Sequence, residues 1–292
     1  MRFGLLGTGY WATKTQGTAL VAHPGAELVG VWGRDPAKAQ AAAESLDARP
    51  YTDVDALIAD VDAVAIALPP DVQATLATRA AAAGRHLLLD KPVALDVAAA
   101  DALTDAVDAA GVRSVVFFTN RFVPSVTSFL DERAGGDWYA ARVTMHASIF
   151  RPGNPYADSA WRRQHGGLWD VGPHALSVVV PLLGEVVEVT AVEGPRDTTH
   201  VIATHVGGAA SALSLTLNAA PNAVSFEWVF FGENGVAELP RADATPVEAF
   251  GRAVDALMDE RAHPCDVHFG RSVVRVLAAA ETARRERRSV EV

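Results

Sequence analysis

Arg2-Phe3-Gly4-Leu5-Leu6-Gly7-Thr8-Gly9-Tyr10-Trp11-Ala12 is a short apolar run that feeds directly into G-x-G-x-x-A. A buried parallel strand followed at once by this pattern, opening a helix, presents a dinucleotide pyrophosphate to a helix N-terminus. Each small residue has its own task. Gly7 permits the tight turn, Gly9 lets the phosphates approach the backbone, and Ala12 lets helix and strand pack closely. Glycine-rich turns are common, so the reading rests on context: a strand precedes the turn and a helical stretch, Trp11–Ala22, follows it.

The first 120 residues continue in the same grammar. Strand patterns at Arg2–Leu6, Glu27–Trp32, Ala63–Ala67, His86–Leu89 and Ser114–Thr119 alternate with Ala-rich helical patterns at Pro36–Leu46, Val54–Ala59, Val72–Ala83 and Val97–Ala110. Asp35-Pro36 and Asp53 are helix starts, and Gly84 and Gly111 follow helix ends. Repeated βα units with short apolar strands imply a doubly wound parallel sheet covered on both faces, an α/β domain over residues 1–120.

Beyond Asn120 the pattern changes. A helix at Pro124–Arg133 leads to an alternating stretch, Tyr139–Phe150, and then to a Pro-, Gly- and Arg-rich loop from Arg151 to Gly167. A helix at Trp169–Leu183 precedes four strand patterns without intervening helices: Val186–Glu193, Thr199–His205, Ser211–Asn218 and Ser225–Phe231. Strands following strands imply an open, mostly antiparallel sheet. Two helices, Pro246–Glu260 and Val267–Glu286, complete an α+β domain expected over residues 121–292.

The 292 residues suggest about two domains. A net charge of −10 argues against a nucleic-acid or anionic-membrane surface. The basic cluster Arg284–Arg288 ends a predicted helix, where cations meet the C-terminal dipole favourably. With Cys265 as the single cysteine, neither an internal disulfide nor a thiolate metal site is possible. His200 and His205 lie five apart on a predicted strand and face opposite sides, and no other pair has convincing metal-ligand spacing. No basic and apolar leader and no apolar run of spanning length is present, so cytoplasm is the expected compartment.

Three further places at strand or helix ends carry chemistry. The second strand ends Val31-Trp32-Gly33-Arg34-Asp35-Pro36. An acid there would bind the ribose hydroxyls of NAD, whereas an arginine with room beside it suits the 2′-phosphate of NADP. Gly33 stands where the acid would sit and Arg34 follows, which favours NADP over NAD; Asp35 reads as a helix cap. Two later strands run into Leu68-Pro69-Pro70-Asp71 and Asp90-Lys91-Pro92, at the carboxyl edge where open α/β sheets bind ligands. The Lys91 ammonium can bond a substrate hydroxyl or the nicotinamide ribose; the competing reading is a strand-end lysine in solvent. The expected coenzyme contacts are Gly7, Thr8, Gly9, Tyr10 and Trp11, then Gly33 and Arg34, then Leu68, Pro69, Asp90 and Lys91.

The third place is Gly166-Gly167-Leu168-Trp169-Asp170-Val171-Gly172-Pro173-His174. Asp170 and His174, four apart, share one face of a helix, and Pro173 puts the pair at a helix start. A helix N-terminus favours a neutral histidine, suited to proton exchange with an alcohol. An N-cap aspartate and a packed core histidine are the competing reading.

In order and spacing these pieces resemble the Gfo/Idh/MocA oxidoreductases, which include glucose–fructose oxidoreductase and inositol dehydrogenase. The resemblance rests on Gly7–Ala12, on Asp90-Lys91-Pro92 in the place of Glu-Lys-Pro, and on Gly-Gly…Asp170-x-Gly172-x-His174. It extends to Asn120-Arg121-Phe122-x-Pro124, to Trp161-Arg162 and to the closing Arg288-Ser289-Val290-Glu291-Val292, so it spans nearly the whole chain. It implies a Rossmann domain with an open-faced α+β domain, NAD or NADP, and hydride transfer at a secondary alcohol of a sugar or cyclitol. By resemblance Lys91 is the Lys-Pro lysine, Asp170 the substrate-orienting carboxylate and His174 the proton-transfer residue. Two departures stand out: Asp90 is shorter than glutamate, and Ser177 replaces an aspartate common three residues after the histidine.

The expected mechanism passes hydride between the nicotinamide and a hydroxyl-bearing carbon, while His174 exchanges the hydroxyl proton and Lys91 positions the same oxygen. Arg121, Trp161, Arg162 and Asp170 are the expected substrate contacts. The alternatives are a dinucleotide-binding sensor without turnover, or a reductase for a non-sugar carbonyl or a linear tetrapyrrole. The partner expected is a small sugar or polyol, with no nucleic acid and no membrane. The sheet sequence Ala212-Leu213-Ser214-Leu215-Thr216-Leu217 reads as apolar on both faces, which suggests a homodimer or homotetramer formed through the second domain's sheet.

Overall fold

The computed structural model describes residues 1–292, and these fall into two units: Met1–Phe122 with Ala244–Arg271, and Val123–Asp243 with Ser272–Val292. The first unit begins with β1 (Arg2–Leu6), whose last four residues are buried. A π-helical turn over Ala12–Gly17 continues into α1 (Thr18–Ala22). Then follow β2 (Glu27–Trp32), α2 (Pro36–Ser45), β3 (Arg49–Tyr51), α3 (Val54–Ala59), β4 (Ala63–Ile66), α4 (Pro70–Ala82), β5 (His86–Asp90), α5 (Val97–Ala110) and β6 (Ser114–Phe117). All six strands pair in parallel in the order β3-β2-β1-β4-β5-β6. The order reverses between β1 and β4, the switch point at which such sheets bind nucleotides.

The caps follow the sequence. Asp35, Asp53 and Asp96 each accept backbone N–H bonds at the starts of α2, α3 and α5, and Gly111 ends α5 in the left-handed conformation. The strand β3 carries no sequence signal because three residues with a central proline show no alternation, and such a strand fits only at a sheet edge.

The second unit holds α6 (Pro124–Arg133), β7 (Trp138–His146), α7 (Ala160–Asp170) and α8 (Gly172–Leu183). Its remaining strands are β8 (Val186–Glu193), β9 (Thr199–His205), β10 (Ala210–Thr216), β11 (Ser225–Gly232), β12 (Gly235–Glu238) and β13 (Val290–Glu291). The sheet order is β12-β11-β7-β10-β9-β8-β13, antiparallel except where β10 runs parallel to β7. One face buries Val143, Met145, Val201, Leu213 and Leu215, with α8 packed on β7 and β10. Each such side chain stabilises the fold by about 1.5–3 kcal/mol relative to exposure. The other face carries Arg142, Thr144, His200, Ile202 and Ser214. The leucines of β10 thus share one side, and its opposite side is small and polar rather than apolar.

The chain then returns to the first unit. α9 (Pro246–Met258) starts with a capping box between Thr245 and Glu248 and buries Phe250, Val254 and Leu257. Phe250 meets the ring of Phe117 edge-on, with centroids 5.0 Å apart. The boundary between units next falls inside α10 (Val267–Glu286). A reading that gives everything after residue 120 to one domain misses this return, because an amphipathic helix does not encode which sheet it will cover.

Candidate active site

At the end of β1 the backbone of Gly7 has φ 140°, and a Cβ there would lie 2.5 Å from the carbonyl oxygen of Ala67. Only glycine fits. Gly9 differs: a Cβ on it would meet nothing within 4 Å. No internal packing demands glycine at that position, and the open turn has room for a dinucleotide phosphate. Ala12 is fully buried and meets the space above Gly7. Tyr10 is exposed, whereas Trp11 turns inward, its ring 6.3 Å from that of Phe117. Of the expected coenzyme contacts, Trp11 therefore places its indole against the core of the unit.

At the end of β2, a Cβ on Gly33 would lie 2.5 Å from the Thr8 γ-methyl, so Gly33 and Thr8 touch directly. Asp35 accepts from the N–H groups of Ala37 (3.0 Å) and Lys38 (3.2 Å), capping α2. Arg34 is exposed between them.

The ends of β4 and β5 lie beside β1 on the same carboxyl edge. Leu68 and Pro69 are half-buried, and Pro69 occupies the N-cap position of α4. Lys91 follows β5 directly, half-buried, with a cis bond to Pro92. Asp90 Oδ1 accepts the N–H of Lys91 at 2.8 Å. Gln73, which no sequence motif singles out, is fully buried and bonds the backbone on either side of Lys91. No local pattern marks it, since its partners lie 17 and 19 residues away. Arg121, also in the first unit, has its guanidinium 5.9 Å from the ring centre of Phe269. Burial, aided by the Arg121 charge, holds His263 below the usual imidazole pKa.

In the second unit the predicted loop is shorter than expected, because α7 begins at Ala160. Gly166 breaks it with φ 63° and ψ −160°, and a Cβ on Gly167 would lie 2.6 Å from the Thr216 Cα of β10. The double glycine is thus one bend and one close approach. Trp169, 2% exposed, donates its indole N–H to Glu281 on α10 at 2.7 Å, and a Cβ on Gly172 would come within 2.9 Å of Leu277. Asp170 closes α7 and is 8% exposed, while His174 lies half-buried in the first turn of α8. The pair therefore straddles a helix junction, with Val171 in helical torsions between them, instead of opening one helix.

Arg162 Nε donates to Asp170 Oδ2 at 3.0 Å. Its guanidinium carbon lies 4.5 Å from the Trp161 ring centre and 4.6 Å from that of Tyr156. Three of the four expected substrate contacts, Trp161, Arg162 and Asp170, thus form one cluster. The Ser177 hydroxyl donates to the carbonyl oxygen of His174 at 2.9 Å. No helix is long and apolar enough to cross a membrane.

Residues 1–118 match the profile of the GFO/IDH/MocA oxidoreductase family, NAD-binding Rossmann fold, and residues 125–238 match the GFO/IDH/MocA C-terminal domain. A dTDP-3,4-didehydro-2,6-dideoxy-alpha-D-glucose 3-reductase of Streptomyces violaceoruber is 30% identical over 84% of this chain and 74% of its own length. Inositol 2-dehydrogenase of Rhizobium meliloti is 33% identical over 63% of this chain. The match spans 56% of that enzyme's length, and in another Rhizobium meliloti oxidoreductase, ORF334, 42%. The WlbA dehydrogenase of Bordetella pertussis, solved with NADH and UDP-GlcNAcA, has the same fold, with a TM-score of 0.85 at 23% identity over 100% of this chain and 98% of that one. The chain belongs to the Gfo/Idh/MocA oxidoreductase family.

Proposed function

We propose that the protein is a dehydrogenase or reductase that moves a hydride between NADP, in preference to NAD, and a secondary alcohol or ketone of a sugar, cyclitol or related polyol. The observation that carries this reading is the carboxyl edge of the first unit. There the glycine turn after β1 and Lys91 after β5 stand on strands separated only by β4. Related proteins that act on a dTDP-sugar and on inositol supply the substrate class.

When bound, the nicotinamide coenzyme supplies the hydride acceptor or donor. The chain supplies orientation and proton traffic. Lys91, as an ammonium, bonds the reacting oxygen; His174 takes or returns the hydroxyl proton; Asp170 accepts from a neighbouring hydroxyl. Arg162, held by Asp170 and two aromatic rings, shapes the carboxylate more than it grips a substrate directly. The preference for NADP rests on Gly33, which offers no acceptor, on Asp35, whose carboxylate is engaged as a cap, and on exposed Arg34, a suitable partner for a 2′-phosphate.

The cytoplasm is the proposed compartment. A second copy of the chain is the proposed cover for the open sheet face, where Val192, Ile202 and Val236 are 57%, 52% and 64% exposed on the side defined by Ala212 and Ser214. Light scattering over a concentration series checks this.

The direct test is oxidation of NADPH and NADH, and reduction of NADP and NAD, with inositols, UDP-sugars and dTDP-sugars and their keto forms. Turnover that falls by orders of magnitude in Lys91→Ala and His174→Ala, with coenzyme affinity retained, supports the reading. Tight coenzyme binding with no turnover on any of these points instead to a sensor.

A further inference from the structure

We propose that Gln73 is a positioning residue that anchors the Asp90–Pro92 segment from which Lys91 projects. The role assigned to Lys91 rests on the function proposed above; the anchoring itself does not. β4 pairs with β5 only as far as Ile66 opposite Leu89, so β5 runs one residue past its neighbour. Past that point it is Gln73, in the first turns of α4 and fully buried, that bonds the peptide groups of Asp90.

Its side chain is an amide, with the same acceptor and donor as a peptide. Oε1 accepts the N–H of Asp90 at 2.9 Å, and Nε2 donates to the carbonyl oxygens of Asp90 at 2.8 Å and Pro92 at 3.1 Å. One side chain from another element therefore holds the backbone before and after Lys91. The N–H of Lys91 is tied as well, to Asp90 Oδ1 at 2.8 Å. A lysine has a flexible four-carbon stem, so the place of its ammonium depends on where the stem is rooted. A misplacement of about 1 Å at a reacting group costs on the order of a hundredfold in rate. An apolar side chain at residue 73 would fill the volume but leave those three backbone groups without this partner.

The test uses the full chain with Gln73→Leu and Gln73→Glu. Hydrogen exchange of the Asp90 amide, and acetic anhydride labelling of Lys91 read by mass spectrometry, report on the anchor without a substrate. NADPH binding by fluorescence reports on the glycine turn. In Gln73→Leu the Asp90 amide should exchange about tenfold faster or more, while NADPH affinity stays within about twofold. Lys91 labelling should change its rate. On a sugar substrate identified by the turnover assays proposed for the parent protein, kcat should fall by about tenfold or more with KM nearly unchanged.

Gln73→Glu matches the native shape, so it carries the test if the leucine variant does not fold. It keeps the acceptor for Asp90 N–H and loses both donors, and a protonated carboxyl restores one of them. Its kcat relative to the parent protein should therefore rise as pH falls toward about 5, which a purely structural role does not predict. Unchanged exchange and unchanged Lys91 labelling in a folded Gln73 variant overturn the proposal, as does a loosened segment with unaltered kcat. Full activity in Lys91→Ala overturns the catalytic role of the lysine instead, and the anchor then stands or falls on the exchange rate of the Asp90 amide.

Discussion

Arg162 Nε donates to Asp170 Oδ2 at 3.0 Å, and both side chains are largely withdrawn from water, 20% and 11% exposed. Two charges taken out of water together stabilise little in net terms, but removing one partner leaves the other uncompensated. Arg162→Met should destabilise the protein by about 3 kcal/mol, the low end for breaking a buried pair, because the arginine keeps some contact with solvent. That corresponds to a fall in Tm of about 5 °C for a chain of this size. Arg162→Met combined with Asp170→Leu should recover much of the loss, while activity stays absent. Thermal melts of both single variants and of the double variant decide it; losses that simply add in the double variant would show that the pair is not coupled.

The Arg162–Asp170 pair also shows where the sequence stops being legible. Gly7 and Ala12 are readable because a tight turn and a close approach of helix to strand are local demands on backbone and volume. Arg162 and Asp170 are eight residues apart across a bend at Gly166, so neither helical nor strand spacing joins them. The same bend conceals α7, whose first turns read as loop beside a double glycine. Gln73 is invisible for a different reason: it completes a strand that outruns its neighbour, and its partners belong to another βα unit. The return of α9 to the first unit is hidden too, since Phe250 and Val254 announce a buried stripe but not what buries it.

The two glycines of the opening turn should respond to alanine in different ways. Gly7→Ala forces a methyl to within 2.5 Å of the Ala67 carbonyl oxygen at φ 140°, so strain alone should lower the melting temperature and abolish coenzyme binding. Gly9→Ala meets nothing within 4 Å, so the melting temperature should hardly move. The added methyl would occupy the space a phosphate needs, and NADPH affinity should fall by about tenfold or more, roughly 1.4 kcal/mol. Thermal melts with and without NADPH separate the two effects. An alanine at position 9 that leaves affinity intact would count against the turn as a phosphate site.

Coenzyme choice should turn on Arg34. Arg34→Ala should weaken NADPH binding by about tenfold and leave NADH nearly unchanged, because only the 2′-phosphate needs the cation. Gly33→Asp is not a clean way to install an NAD-type acid. Its Cβ would lie 2.5 Å from the Thr8 γ-methyl, so the turn after β1 would have to shift. The variant Gly33→Asp/Thr8→Gly opens that space and should move the preference toward NADH. Titrations of both coenzymes against the three proteins test this; equal losses for NADPH and NADH in Arg34→Ala would remove the argument for NADP.

Acid should loosen the second unit through His205. The ring is 1% exposed, with Nδ1 at 2.7 Å from the Gly184 carbonyl oxygen and Nε2 at 2.9 Å from Ser211 Oγ. The carbonyl fixes the tautomer: Nδ1–H donates, and Nε2 accepts from the serine hydroxyl. Burial lowers the pKa of His205 from 6.5, with the Gly184 carbonyl opposing only in part. The sign then follows. Below about pH 6.5 the unfolded chain takes up a proton that the folded ring refuses, so stability is fully present above that pH and is lost as pH falls through the folded value. Each such histidine contributes a slope of at most about 1.4 kcal/mol per pH unit. His146, in the same unit, shifts in the same direction and adds to it, while His86 and His263 do the same in the first unit. Urea midpoints measured between about pH 8 and pH 5 should therefore decline, and His205→Gln, though less stable at neutral pH, should decline less steeply. Parallel curves for the two proteins would mean that the ring takes up its proton in the folded state as readily as in the unfolded chain.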